Sequence, residues 1–292
     1  MNYKYKYEKY KSKYILLKNN KKGGSNLQSE IPRNIYMFWH KKKDVPNFVK
    51  KCIKNIKEKN RNYKVRIYYY NDVMRIKDRP KILETYRKRG VADWLRLYLL
   101  YKYGGIWIDA SSVFIKKSLD DIIDLKSNKL LGYNPPWDNS KILENWFLAS
   151  KINNKFVKMW LDEWEIALES KENYCKKYNG FAGPILKTML PYLTQHLAFT
   201  KLLKTKEISN YYESLGNSES KGNPFYYHKL YNWNNKKFAN EMLYLKNIDK
   251  NISFLKLRGV ERYSIIKEIE NCNYSNDSHL VKLLQINCIK KA

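Results

Sequence analysis

One stretch of this chain constrains its fold more than any other: DWLRLYLLYKYGGIWIDASS, Asp93 to Ser112. Apolar residues recur at helical spacing through Tyr103, and Gly104 and Gly105 then punctuate the run. Glycine ends helices because it tolerates left-handed backbone. Without a spacer, Ile106 to Ile108 reads as a short buried strand, and it stops at the carboxylate of Asp109. A helix feeding directly into a buried strand is the building unit of α/β folds, whose ligand sites gather at the carboxyl ends of the strands.

The flanks repeat that grammar. NIYMFWH, Asn34 to His40, is an apolar and aromatic run bounded by Pro32 and KKKDVP, as expected of a buried strand. PNFVKKCIKNIKEKN then places Phe48, Cys52, Ile53 and Ile56 on one helical face, and YKVRIYYYND, Tyr63 to Asp72, alternates as a second strand. Strand, helix, strand predicts a parallel pair with a right-handed crossover. Downstream, KSLDDII reads as a short helix and LLGYNPPWDN as a strand entering a loop. Glu144 to Ser170 starts as a strand or short helix and becomes a long amphipathic helix whose Trp160 and Trp164 belong to a core face. The GFAGPILKTMLPYLTQHLAFTKLL segment is helical with proline interruptions, GNSESKGNPFYYHKL is a polar loop, and the tail holds one strand-like and one helical piece.

Composition sets the outer bounds. With 292 residues, 43% hydrophobic and 15% aromatic, the chain supplies ample core for one domain, 31–292, preceded by a basic arm and linker, 1–30, ending around GGSN. The arm alternates Tyr and Lys, a pattern that suits an edge strand, an anionic surface or disorder. A net charge of +29 raises nucleic acid or an anionic membrane as partners. Lys outnumbers Arg and is scattered along the chain, whereas base and phosphate recognition favours Arg, so specific nucleic-acid binding is not expected. Cys52, Cys175, Cys272 and Cys288 show no C-x-x-C pair and read as free thiols of a reducing compartment. No signal-peptide or membrane-spanning pattern is present, which points to a cytoplasmic protein, with peripheral contact to an anionic membrane as an extension of its charge.

Asp93 and Arg96, three apart on a helix, share a face. Singly, such a pair is most often structural and a strand-end Asp most often caps a turn. Jointly, D-x-x-R, a Tyr-rich helix end, GG, three apolar residues and Asp109 resemble the DXD-type sugar-nucleotide glycosyltransferases, particularly the capsular polysaccharide synthesis protein family. EIPRNIYMFWH resembles that family's opening strand, VPNFVKKCIKNIKEKNRNYKVRIYYYND its first helix and second strand, and NWFLASKINNKFVKMW the segment after the motif. The likeness is continuous from Ile31 to Trp164, after which only NPFYYHKL and FLKLRG look familiar; the arm lies outside it.

The resemblance implies a nucleotide-sugar-binding, Rossmann-like α/β fold of GT-A type, with a mixed, mostly parallel central sheet flanked by helices and a helical C-terminal portion. Residues 31–135 would form the nucleotide half and 136–292 the acceptor side. It implies retaining transfer from a nucleotide-sugar, a UDP-sugar first, to a polysaccharide, lipid-linked or protein-linked glycan. Asp93 and Arg96 would hold the donor sugar and diphosphate and Phe38 and Trp39 would stack on the base, with Gly105 and Lys256 also in the donor site. A divalent cation, Mn or Mg, would rest on Asp109, Ser111 and His228, since a hard cation on carboxylate oxygens neutralises the leaving diphosphate. Asp109-Ala110-Ser111 departs from Asp-x-Asp by the missing second carboxylate, and Ala92 stands where Ser commonly precedes the Asp. Arg258 is a further candidate phosphate ligand, and His40 reads as a strand-end solvent contact. The rival class is a non-enzymatic basic protein binding nucleic acid or an anionic membrane, against which GGIWID argues: an anion-binding face has no use for a lone strand-end carboxylate.

Overall fold

The computed structural model describes residues 30–86, 88–136 and 141–288. The basic arm therefore falls almost wholly outside the described residues. In chain order the elements are β1 (Asn34–Trp39), α1 (Asn47–Lys59), β2 (Lys64–Tyr69), α2 (Tyr70–Met74), α3 (Lys88–Tyr103), β3 (Gly105–Ile108), β4 (Ser112–Phe114), β5 (Leu130–Asn134), β6 (Phe147–Ser150), α4 (Lys155–Ser170), α5 (Glu172–Tyr178), α6 (Pro184–Thr188), α7 (Thr194–Thr205), β7 (Tyr212–Asn217), α8 (Tyr226–Leu230), α9 (Asn235–Tyr244), β8 (Phe254–Lys256), α10 (Gly259–Glu270) and α11 (His279–Leu284).

Six strands form the central sheet in the order β2-β1-β3-β6-β5-β7. β1 runs parallel to both β2 and β3, and β7 parallel to β5, while β6 is antiparallel to its two neighbours. This is the mixed, mostly parallel sheet expected. Because β1 has β2 on one side and β3 on the other, the chain reverses its winding at their carboxyl ends, where Trp39 and Asp109 stand.

Alternation along the strands divides the core. Ile35 and Met37 of β1 and Ile106 and Ile108 of β3 pack on the α1 side, whereas Tyr36 and Trp107 face α3, α4 and α7 with Trp94, Trp160 and Phe199. Trp160 is fully buried and Trp164 nearly so, in keeping with their reading as core. A third apolar cluster joins α9, α10 and α11 to the small β4–β8 sheet through Phe238, Met242, Leu255 and Leu257.

Gly104 and Gly105 have φ of 61° and 106°. A Cβ on Gly105 would lie 2.7 Å from the Asn34 carbonyl oxygen. The double glycine is thus what lets α3 stop and β3 begin against β1.

Several local expectations need correction. The second strand ends at Tyr69, because the Asp72 carboxylate accepts the Tyr69 N–H at 2.9 Å and starts a helical turn. The polar loop after residue 215 contains the end of β7 and the helix α8, and α9 and α11 appear where no element was expected. Cys272 and Cys288 are not free thiols: they form a disulfide, Cα to Cα 5.3 Å, tying the end of α10 to the chain beyond α11. Cys52, which is buried, and Cys175 are free. No described helix is long and apolar enough to cross a membrane.

Candidate functional site

A cavity of about 630 Å³ opens at the carboxyl ends of β1 and β3. It is walled by α3 on one side and by the first turn of α10 on the other, and α7 and the residues before β6 complete it. Phe38, Trp39, Asp93, Arg96, Asp109, Ser111 and Lys256 all line it, so most residues singled out from the sequence converge on one space. Gly105 and His228 do not. Gly105 sits at the opposite end of β3 from Asp109, where its role is backbone packing. His228 is buried one layer behind the wall, its ring against Phe238 at 4.2 Å and its Nε2 3.8 Å from Glu261. Burial, with Arg258 and Lys256 nearby, drives its pKa well below the ordinary histidine value.

The floor is an ion network. Arg96 donates to Asp93 at 2.6 Å and to Gln195 Oε1 at 3.0 Å, and its other guanidinium nitrogen stands 3.7 Å from Asp109. The guanidinium also lies over the Trp107 ring at 5.1 Å. Asn145 donates to Gln195 at 2.8 Å and, weakly, to Asp93 at 3.4 Å, while Gln195 Nε2 donates to the Asp93 carbonyl at 2.7 Å. Burial raises the Asp93 carboxyl above the usual carboxylate range, with Arg96 pulling against it. Asp109 goes the other way: burial pushes it up, but Lys256 and Arg96 outweigh burial and hold it below that range. Lys256 Nζ donates to Asp109 Oδ2 at 2.7 Å, and Trp107 Nε1 donates to Oδ1 at 3.1 Å.

Ser111 is turned away from ligand duty. Its hydroxyl donates to the Leu257 carbonyl at 2.7 Å and accepts from Arg262 at 3.3 Å. A divalent cation therefore finds a poor donor set. Both oxygens of Asp109 already accept hydrogen bonds, Ser111 is engaged, His228 is outside the cavity, and among the described residues no three His, Cys, Asp or Glu side chains converge as metal ligands.

Sequence reading missed Glu144, Asn145, Gln195, His196 and Arg262, all of which line the cavity. Glu144 and His196 face each other at 3.3 Å and are both buried. The signal for Glu144 and Asn145 was present: polar residues abut the apolar run WFLA, just as Asp109 abuts IWI. Arg258 and Arg262 have helical i, i+4 spacing, a pattern that is unremarkable in so basic a chain. Two buried donors at the cavity, Arg96 Nε and Trp146 Nε1, have no acceptor among the described residues.

The sequence pattern of the capsular polysaccharide synthesis proteins matches residues 2–276, and the chain belongs to that family. The match begins at residue 2 and so includes the basic arm, which the sequence reading leaves outside the resemblance. Over 80 residues the chain is 36% identical to the O-glycosyltransferase braB of Annulohypoxylon truncatum, a match covering 24% of this chain and 18% of that protein. The chain thus spans less than a fifth of that relative. Among solved structures, the PaToxG glycosyltransferase is similar at 15% identity and a TM-score of 0.37, covering 60% of this chain and 79% of the other. A glycosyltransferase involved in the glycosylation of the major capsid of PBCV-1 is similar at 12% identity and a TM-score of 0.42, covering 81% and 98%. Neither likeness is close enough to assign a role to any residue here.

Proposed function

We propose that this protein is a glycosyltransferase that moves a hexosyl unit from a nucleotide-sugar, a UDP-sugar first, to a glycan acceptor. The observation that carries this reading is the Asp93–Arg96–Asp109–Lys256 network, buried at the floor of a cavity whose rim holds Phe38 and Trp39. Charged side chains fixed by mutual hydrogen bonds at a sheet's switch point form a preorganised electrostatic site. In this reading the aromatic rim stacks on the base, Asp93 and Asn145 orient sugar hydroxyls, and the free donors of Arg96 and Trp146 receive further sugar oxygens. Family membership supports the same reading, because capsule polymers are built by glycosyl transfer.

We also propose retention of configuration. Each carboxylate buried or half-buried in the cavity faces its own partner: Asp93 has Arg96, Asp109 has Lys256, and Glu144 has His196. None stands ready as a strong base for an incoming hydroxyl. A same-face transfer needs none: the sugar C1–O bond to the β-phosphate breaks, its electron pair stays on the phosphate oxygen, the acceptor oxygen bonds to C1, and its proton passes to that phosphate. The test is a panel of nucleotide-sugars assayed for transfer and slow hydrolysis, with Trp39→Ala and Asp109→Asn as controls and the released anomer read by NMR. One donor turned over by the native protein, with both variants impaired, is expected. Turnover of none, or equal turnover by all three proteins, removes the reading.

A further inference from the structure

The cavity's charge balance differs from what a metal-bound diphosphate needs. A dication on a diphosphate needs about one or two carboxylates free to join the phosphate oxygens, yet both Asp109 oxygens already accept hydrogen bonds, and six Lys or Arg side chains against four Asp or Glu line this space. Three of the six, Lys256, Arg258 and Arg262, stand within seven residues of sequence on the wall opposite Asp93, all from β8 and the start of α10.

Their positions are fixed by separate contacts. The Lys256 side chain is 7% exposed and held by Asp109. Arg258 Nε donates to Glu261 at 2.8 Å, a terminal nitrogen donates to Asn235 at 3.1 Å, and the guanidinium lies over the Trp233 ring at 4.5 Å. Arg262 reaches Ser111 and lies over the Trp39 ring at 5.1 Å.

Between the two arginines, α10 begins with no side-chain cap, and Gly259, its first residue, lines the cavity. A Cβ there would come no closer than 3.8 Å to any neighbour, that neighbour being Arg262. Absent a side chain, the first backbone N–H groups of the 12-residue helix are open to an anion, which adds the favourable end of the helix dipole.

We propose that this site neutralises the donor diphosphate with Lys256, Arg258, Arg262 and the amino end of α10 in place of a divalent cation, Asp109 serving as the positioning residue that anchors Lys256. The proposal rests on the glycosyltransferase reading and deepens it. As the C1–O bond breaks, the electron pair left on the β-phosphate oxygen meets two fixed guanidinium groups and an ammonium, a role that elsewhere falls to the metal. Trp39, which Arg262 covers on one face, links base and phosphate recognition.

The experiment is calorimetric titration of the full chain with UDP, in excess EDTA and again with saturating Mn²⁺ or Mg²⁺, followed by titration of each metal into the protein alone. Affinity for UDP should agree across the three conditions within a factor of about three, and neither metal should bind the free protein. Arg258→Gln and Arg262→Gln, each titrated as protein shown by its melting curve to be folded because Arg258 compensates the buried Glu261, should each weaken UDP by roughly tenfold in EDTA, the scale of a lost charge-assisted contact. Arg258→Gln, whose guanidinium lies over Trp233 and not Trp39, should leave uridine binding unchanged. Binding of UDP that appears only with metal, or variants that bind UDP as the native protein does, would overturn the proposal and leave the glycosyltransferase reading standing. If no nucleoside diphosphate of any base binds in any condition, both fall together.

Discussion

Arg96 is where the site and the fold meet. Its side chain is 6% exposed, as is that of Asp93, so each ion depends on the other for compensation. Arg96→Met should cost about 3–5 kcal/mol in urea denaturation, because it strands the Asp93 charge in a buried setting. The double variant Asp93→Asn with Arg96→Met should recover most of that loss while remaining inactive. No recovery would mean that Arg96 acts through contacts other than the ion pair. Of this network, the i, i+3 spacing of Asp93 and Arg96 and the strand-end position of Asp109 were legible in the sequence, since helical geometry and a glycine stop place them. Lys256 was named as a donor-site residue that could clamp phosphate, but its pairing with Asp109 was not foreseen. What gives it meaning is a 2.7 Å contact across 147 residues, and no local pattern encodes a contact at that separation.

The element that shapes the cavity most is the α3–β3 corner. Gly105→Ala puts a side chain at φ 106° and 2.7 Å from a backbone oxygen, so it should destabilise the protein by at least about 1–3 kcal/mol. Nucleotide affinity per folded molecule should not change, because Gly105 is at the far end of the strand. A selective loss of affinity at unchanged stability would restore it to the donor site. Behind the opposite wall, α8 holds His228 neutral in the folded state. The unfolded chain takes up that proton near the ordinary value of 6.5, so it binds more protons than the folded state as pH falls through that point. Stability from this group is therefore complete above pH 6.5 and lost progressively below it. A plot of melting temperature against pH should slope down between pH 6.5 and about 5, and His228→Leu should make that limb shallower. An identical slope would assign the acid sensitivity to other groups. The order β1, α1, β2 and the run from α3 into β3 were readable because hydrophobic period and glycine stops are local signals. α9 and α11 were not, because their apolar faces make sense only against each other, α10 and the β4–β8 sheet, contacts that no local pattern encodes.

At the scale of the whole molecule, the charge of +29 is scattered along the chain, whereas the cavity holds its cations at set distances from named partners. Duplex DNA should bind weakly and without sequence preference. Its affinity should fall steeply, by about a thousandfold or more, between roughly 50 and 200 mM salt, as counterion release requires. UDP binding should lose far less over the same series. Sequence-selective DNA binding that survives physiological salt, with no nucleotide bound, would favour a basic binding protein. The pairing of β8 with β4 has a consequence during synthesis. Asp109 leaves the ribosome 147 residues before the lysine that anchors on it. At about 5–20 residues per second, that is an interval of roughly 7 to 30 s. Through that interval the sheet's first three strands can already pair, yet the cation-bearing wall does not exist. If the proposed function holds, a nascent chain cannot grip a donor diphosphate until β8 adds itself to β4, so that completion of the small sheet is also the step that completes the donor site.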